Sequence, residues 1–342
     1  MADTILKRRN KANLRPRDIH DALDRAAEVA PPVHAAEVAV VIPCYNEQAT
    51  IADLVLAFRA ALPLAQIYVF DNNSSDLTCQ EARRVGALVR HAPRQGKGNV
   101  VRQMFSDVDA DIYVMVDGDG TYDVSAAPRL IAELLDGGYD MVTGSRVTEV
   151  QAAYRPGHVF GNRLLTGLVS IGFGCQVRDM LSGYRVFSRR FVKSFPASSA
   201  RFEVETELTV HALQMRLPTS EVETAYGARP EGSTSKLNTI RDGIRILAMI
   251  GLLLRDEKPL PFFGVCGLAL FAVAAAMGLP VVAEFWRTGL VLHFPTLIVS
   301  VGVAVTGLLS FTCGLILDSV ARARQEQRRF AYLQHPAPSH LR

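Results

Sequence analysis

The stretch Ile112-Tyr113-Val114-Met115-Val116-Asp117-Gly118-Asp119 decides how this chain is read. A short apolar run that ends at turn residues predicts a buried strand. Two carboxylates follow it directly, and Gly118 between them lets the backbone turn. Comparable runs lie on both sides. Val38 to Ile42, Ile67 to Phe70, Ala87 to Arg90 and Met141 to Thr143 also read as strands. Between them, Gln48–Ala61, Asp76–Val85, Gly98–Val108 and Ser125–Asp136 carry helical spacing. Thr50, Ser75, Asp76 and Ser125 are candidate first-turn or cap residues. Repeated strand–helix units predict an α/β fold with a mostly parallel sheet and helices on both faces. Ligands of such sheets bind beyond the carboxyl ends of the strands.

This α/β unit is expected over residues 37–236 of a chain of 342. Residues 1–36 form a basic extension, with Lys7, Arg8, Arg9, Arg15 and Arg17 ahead of a short helical candidate from Ile19 to Val29. It reads as an ordinary tail or as a contact for anionic lipid headgroups. Lysines and arginines number 37 against 34 acidic residues, a net charge of +3, which gives no reason to expect a nucleic-acid partner. The five cysteines (Cys44, Cys79, Cys175, Cys266, Cys313) are dispersed, with no CxxC spacing, so neither a disulfide framework nor a zinc site is expected.

The composition changes after residue 236. Residues 237–258 read as an amphipathic juxtamembrane helix, or equally as an ordinary helix of the soluble domain. Leu260 to Ala283 is 24 residues without charge, and Thr288 to Leu317 is 30 with none if His293 is neutral. A bilayer span needs about 20 apolar residues. Residues 259–320 are therefore expected to form a transmembrane helical hairpin, turning at Glu284–Arg287 with Trp286 at the interface. Gly264, Gly267, Gly278, Gly302, Gly307 and Gly314 would let its helices approach closely. Residues 321–342 are expected as a tail. Arg241, Arg245, Arg255 and Lys258 precede the first span, and Arg322, Arg324, Arg328 and Arg329 follow the second. That bias predicts an inner-membrane protein with the α/β domain and both termini in the cytoplasm.

The strand ends carry the chemistry. Pro43-Cys44-Tyr45-Asn46-Glu47 follows the first strand, and its ring, amide and carboxylate suit a base or ribose. Asp71-Asn72-Asn73-Ser74-Ser75-Asp76 follows the second, either as an Asx-rich turn or as an acidic clamp on a nucleoside. Asp117 and Asp119 can ligate one hard cation, Mg²⁺ or Mn²⁺, whose oxygen shell a diphosphate would complete. Gly96-Lys97-Gly98 lacks the Walker A spacing, yet Lys97 can face nucleotide phosphates or pair with an acidic strand end.

Together these motifs resemble the family 2 glycosyltransferases of the GT-A fold, within them the polyprenyl-phosphate sugar transferases. The family's P-x-Y-N-E is Pro43 to Glu47, its Gly-Lys-Gly loop is Gly96 to Gly98, and its DxD is Asp117 and Asp119. Its Asp-Asp-Gly-Ser-x-Asp is matched at Asp71 and Asp76, while Asn72 and Asn73 depart. Gly144-Ser145-Arg146 and Asp179-Met-Leu-Ser182-Gly183-Tyr184-Arg185 match later motifs. Phe202, Glu203 and Glu205 lie where the family has acidic residues near the acceptor. Arg229, Ser235 and Lys236 fall in an R-x-x-G-x-S-K stretch with one extra residue here. Thr121 stands where some relatives have a third metal ligand.

The resemblance implies inverting transfer of a sugar from a nucleotide sugar to a polyprenyl monophosphate. A UDP-sugar is favoured because of Asn72 and Asn73, with GDP-mannose possible. Pro43, Tyr45, Asn46, Glu47, Asp71, Asn72, Lys97, Asp117 and Gly118 are expected at the nucleotide, and Asp117 and Asp119 at the metal. Arg146, Arg185, Arg229 and Lys236 are expected at the acceptor phosphate, with Asp179 orienting one of them or the sugar. Asp117, Asp119, Asp179 and Arg185 form the expected catalytic set. A homo-oligomer is possible. The alternatives are transfer to another lipid or a hydroxyl acceptor, and a membrane-bound nucleotide-sugar scaffold without turnover. A processive polysaccharide synthase fits poorly, since Trp286 is the only tryptophan.

Overall fold

The computed structural model describes residues 36–147, 178–197, 204–227, 255 and 258–338. In chain order the elements are β1 (Val38–Cys44), α1 (Ile51–Ala61), β2 (Gln66–Asp71), α2 (Thr78–Arg84), β3 (Leu88–His91), α3 (Lys97–Asp107), β4 (Ile112–Met115), α4 (Ala127–Gly137) and β5 (Met141–Val147). Then come β6 (Arg185–Ser188), α5 (Arg189–Ser194), α6 (Val204–Gln214), β7 (Thr219–Ala225), α7 (Pro259–Thr288) and α8 (Phe294–Leu333). Among the described residues the sheet has seven strands in the order β3-β2-β1-β4-β6-β5-β7. Only β6 runs antiparallel to its neighbours, so the sheet is mostly parallel, as expected.

Both faces are covered. Along β1, Val40 and Ile42 point into one core with Val55 and Phe58 of α1 and Leu130 of α4. Ala39 and Val41 point into the other, with Val101 and Met104 of α3, Phe187 and Leu208. That is the period-two alternation of a strand buried on both sides. Thr50 stands at the start of α1, but its side chain makes no capping bond there. Its hydroxyl instead donates to the Gly118 carbonyl at 2.6 Å, tying the helix to the turn after β4. The cap near Ser125 is Asp123, whose carboxylate accepts the Ser125 amide.

The hairpin differs in detail from expectation. Helix α7 continues through Glu284–Arg287, and the turn lies between Thr288 and Phe294. Gly289 adopts φ +69°, a left-handed position that ends α7. Trp286 is 81% exposed on the last turns of α7. Gly267 and Gly307 meet closely: a Cβ on Gly267 would lie 2.9 Å from the Gly307 carbonyl. Ser300 and Ser310 donate across the pair to the Ala274 and Phe263 carbonyls. Both helices are long and apolar enough to cross a membrane.

The helix that begins in the hairpin extends past residue 321, where the tail is expected to begin. Helix α8 runs on to Leu333 and docks on the α/β domain. Tyr332 donates its hydroxyl to Asp140 Oδ2 at 2.9 Å. Arg190 pairs with the same buried carboxylate and stacks 4.6 Å over the Tyr332 ring. Gln325 and Arg328 bond to Gln214 at the end of α6. The basic extension 1–36 and almost all of 237–258 lie outside the described residues.

Candidate active site

Four parallel strands, β3, β2, β1 and β4, deliver their carboxyl ends to one edge of the sheet. Here Asp117 meets Lys97, the first residue of α3, at 2.5 Å. Lys97 Nζ also donates to Glu205 at the start of α6. The ammonium is nearly buried, with 8% side-chain exposure, whereas Asp117 keeps 29%. Burial alone would lower the Lys97 pKa, but the Asp117 and Glu205 carboxylates outweigh it and hold the amine protonated. Burial also pushes the Glu205 carboxyl up, and among the described residues Glu205 Oε2 has no hydrogen-bond partner.

Asp119 is buried, and its Oδ1 accepts from the Thr121 amide and, at 2.6 Å, from the Thr121 hydroxyl. Thr121 therefore orients Asp119. Gly183 lies against Asp117: a Cβ there would sit 2.3 Å from Asp117 Oδ2. Its amide donates to Tyr122 Oη at 2.8 Å, and burial raises the pKa of that phenol. The residues fit a divalent cation, since Asp117 at the strand end, with Glu205, already attracts a cationic group, the Lys97 ammonium, and Asp119 adds a second carboxylate two residues on. Among the described residues no three His, Cys, Asp or Glu side chains cluster as a cage. Any cation here would thus share its oxygen shell with a ligand.

The early nucleotide-side residues are brought together. Asn46, at φ +54°, accepts the Ser75 amide and donates its own amide to Ser74 Oγ. The Glu47 amide donates to Thr78 Oγ1. Asp71 is buried and accepts the Ser74 amide. Tyr45 is exposed beside them, and Pro43 lies within β1. Asn72 departs from expectation. Its amide donates to the Ala92 and Arg94 carbonyls, and its oxygen accepts the Gly96 amide. Its side chain grips the loop ahead of Lys97. Asn73 likewise donates to the Pro93 carbonyl and Gln95 Oε1. With both side chains occupied by the loop, they no longer favour one nucleotide over another.

On the later side, Arg146 and Asp179 form a two-bonded fork, with Nε and Nη2 each 2.7 Å from a carboxylate oxygen. Burial opposes ionisation of Asp179, and Arg146 more than compensates, so its pKa falls below the usual carboxylate value. Arg185 is a correction. Expected at the acceptor phosphate, it is fully buried. Its guanidinium donates to the Met180 and Ser182 carbonyls and to Thr209 Oγ1. Burial lowers its pKa. It closes the 180–185 loop and presents no free face to a ligand. Arg229, Lys236, Phe202, Glu203 and Ser235 lie outside the described residues. The Lys97–Glu205 contact escaped the sequence reading because 108 residues separate the partners.

Residues 39–195 match the Glycosyl transferase family 2 profile. Glycosyltransferase AglJ of Haloferax volcanii is 33% identical over 298 residues, covering 85% of this chain and 96% of that protein. A dolichyl-phosphate hexose transferase of the same organism is 27% identical over 65% of this chain and 96% of its own length. Among solved structures, glucosyl-3-phosphoglycerate synthase from Mycobacterium tuberculosis, in complex with Mn²⁺, UDP and glucosyl-3-phosphoglycerate, superposes with a TM-score of 0.52. It has 26% identity and covers 63% of this chain and 80% of that one. These matches show that the chain belongs to glycosyl transferase family 2 and is a glycosyltransferase of the GT-A type.

Proposed function

We propose that this enzyme transfers a sugar from a nucleotide-diphosphate sugar, favouring UDP, to a phosphate-bearing acceptor. The observation that carries the reading is the Asp117–Lys97 pair at the carboxyl end of the sheet. A diphosphate leaving group gathers negative charge as its bond to the sugar breaks, so catalysis needs cationic groups fixed at that point. Mg²⁺ or Mn²⁺ held by Asp117 and Asp119 would neutralise the diphosphate. Lys97 adds a fixed positive charge beside it. Thr121 keeps Asp119 oriented, and Gly183 lets the 179–185 segment close over Asp117. The support for UDP is now the nucleotide in the M. tuberculosis complex.

Two acceptors agree with this site. A polyprenyl monophosphate is anionic already, needs no strong base, and stays in the bilayer that α7 and α8 are suited to enter. The dolichyl-phosphate hexose transferase supports it. The second reading is a hydroxyl acceptor that carries its own phosphate. The phosphoglycerate-bound structures favour it more directly over the catalytic domain. Arg146, Arg229 and Lys236 are the candidate phosphate ligands in either case. Inversion at the sugar carbon, a possible homo-oligomer and a cytoplasmic catalytic domain belong to the proposal. Radiolabelled UDP- and GDP-sugars should be offered to the purified enzyme with undecaprenyl phosphate and, separately, with 3-phosphoglycerate. Label in the lipid phase supports the first acceptor, and label in phosphoglycerate the second. Label in neither would sink both.

A further inference from the structure

We propose that Asn72 is a positioning residue for Lys97, acting through the loop between β3 and α3. Its side chain is 4% exposed and fully engaged. Nδ2 lies 2.8 Å from the Ala92 carbonyl and 2.8 Å from the Arg94 carbonyl, while Oδ1 accepts the Gly96 amide at 2.7 Å. One amide thus ties three residues of a five-residue connection to the end of β2. Asn73 adds the Pro93 carbonyl and Gln95. The Ala92 amide donates to the Asp71 carbonyl, so the loop is fastened from both ends of its approach. Gly96, at φ +121°, then turns directly into α3, whose first residue is Lys97.

Chemistry explains why an amide stands here. A carboxylate only accepts hydrogen bonds, whereas an amide offers two donors and an acceptor. The loop presents two carbonyls and one N–H to this side chain, which is the complement of an amide. An aspartate would leave both carbonyls unpaired and set its own lone pairs against them. The departure from aspartate at this position and the shape of the 92–96 loop are therefore one feature. It fixes where the Lys97 ammonium meets Asp117.

The inference rests on the donor-site reading of Lys97 and Asp117, and its test separates the two. Turnover with Mn²⁺, on the nucleotide sugar and the acceptor (undecaprenyl phosphate or 3-phosphoglycerate) that take label in the assay above, should be measured for Asn72→Asp, Asn72→Ser, Lys97→Met and the double variants. Asn72→Asp should lower kcat about tenfold or more while the nucleotide KM stays within about threefold. In the Lys97→Met background the same change should alter kcat less than about twofold, because its route of action is gone. Multiplicative losses would overturn the proposal, as would a large rise in KM at constant kcat, which marks a direct ligand. Asn72→Ser, whose hydroxyl offers one donor in place of the amide's two, carries the same cycle if Asn72→Asp does not fold. Acylation of Lys97 by acetic anhydride, read by mass spectrometry against Lys193 as internal control, needs no turnover. Selectively faster labelling of Lys97 in Asn72→Ser supports the clamp, and unchanged labelling contradicts it. If the wild-type enzyme turns over none of the UDP- and GDP-sugars with either acceptor, the donor reading fails while the labelling result still judges the clamp.

Discussion

The two halves of the sheet hold their charges differently. On the side of β1 to β4, the Lys97 ammonium bridges two carboxylates, and Asp117 remains partly open. On the side of β5 to β7, Arg146 is locked to Asp179 and Arg185 is closed among carbonyls. A cation held by a half-open carboxylate can make room for an incoming charged ligand. A guanidinium surrounded by its own loop cannot do so without loosening that loop. The first half is therefore built to exchange charge; in the second, Arg185 shapes the wall, while Arg146, held by Asp179 but with 21% of its side chain exposed, is the guanidinium proposed for the acceptor phosphate.

Removing the open charge should cost the most. Asp117→Asn is expected to cut turnover by about a thousandfold, roughly 4 kcal/mol of transition-state stabilisation, with a lowered melting temperature but a folded protein, since Glu205 still pairs the buried Lys97 ammonium. Full activity in this variant would erase the distinction between the halves. Arg185→Met tests the opposite side. It strands the Met180 and Ser182 carbonyls and should lower stability by about 2–3 kcal/mol, read as denaturant midpoint. UDP affinity should stay within about twofold. A stable Arg185→Met protein with a raised acceptor KM would return Arg185 to the site. Gly183→Ala probes where the halves touch. Its methyl would press on Asp117, so turnover should fall about tenfold, about 1.4 kcal/mol, with only a small change in melting.

The smallest effect lies furthest from the site. His211 is buried against Phe191 and Phe195, and burial, with nearby Arg328, pushes its pKa down to about 3. The unfolded chain binds that proton below pH 6.5 and the folded chain does not. Stability from this group is therefore complete above pH 6.5 and is lost progressively as pH falls toward 3. The slope approaches about 1.4 kcal/mol per pH unit, with about 1 kcal/mol lost between pH 6.5 and 5.5. Denaturant titrations of wild type and His211→Gln should show that slope only in the wild type. Equal slopes would remove His211 as its source.

The same contrast explains what could be read from sequence. The early strands end in runs of turn residues beside apolar segments, so β1 to β5 were legible. β6 begins with an arginine whose burial depends on carbonyls of its own loop. β7 is an edge strand, TSEVETA, with little apolar alternation. Neither carries a local apolar signal. The Asn72 side chain looked like a nucleoside ligand because an exposed turn and a loop clamp share the same residue types. Only the position of residues 92–96 tells them apart. The uncharged runs revealed the hairpin, but the end of α8 depends on a distant buried carboxylate, Asp140. No spacing rule announces that contact.

The central claim is that the donor diphosphate is held at the end of β4. Calorimetric titration of UDP in the presence of Mn²⁺, on wild type and Asp117→Asn, tests it most directly. The account predicts Mn²⁺-dependent binding to the wild type, weakened at least about a hundredfold in the variant. Equal affinity in both, or wild-type binding indifferent to Mn²⁺, would contradict it.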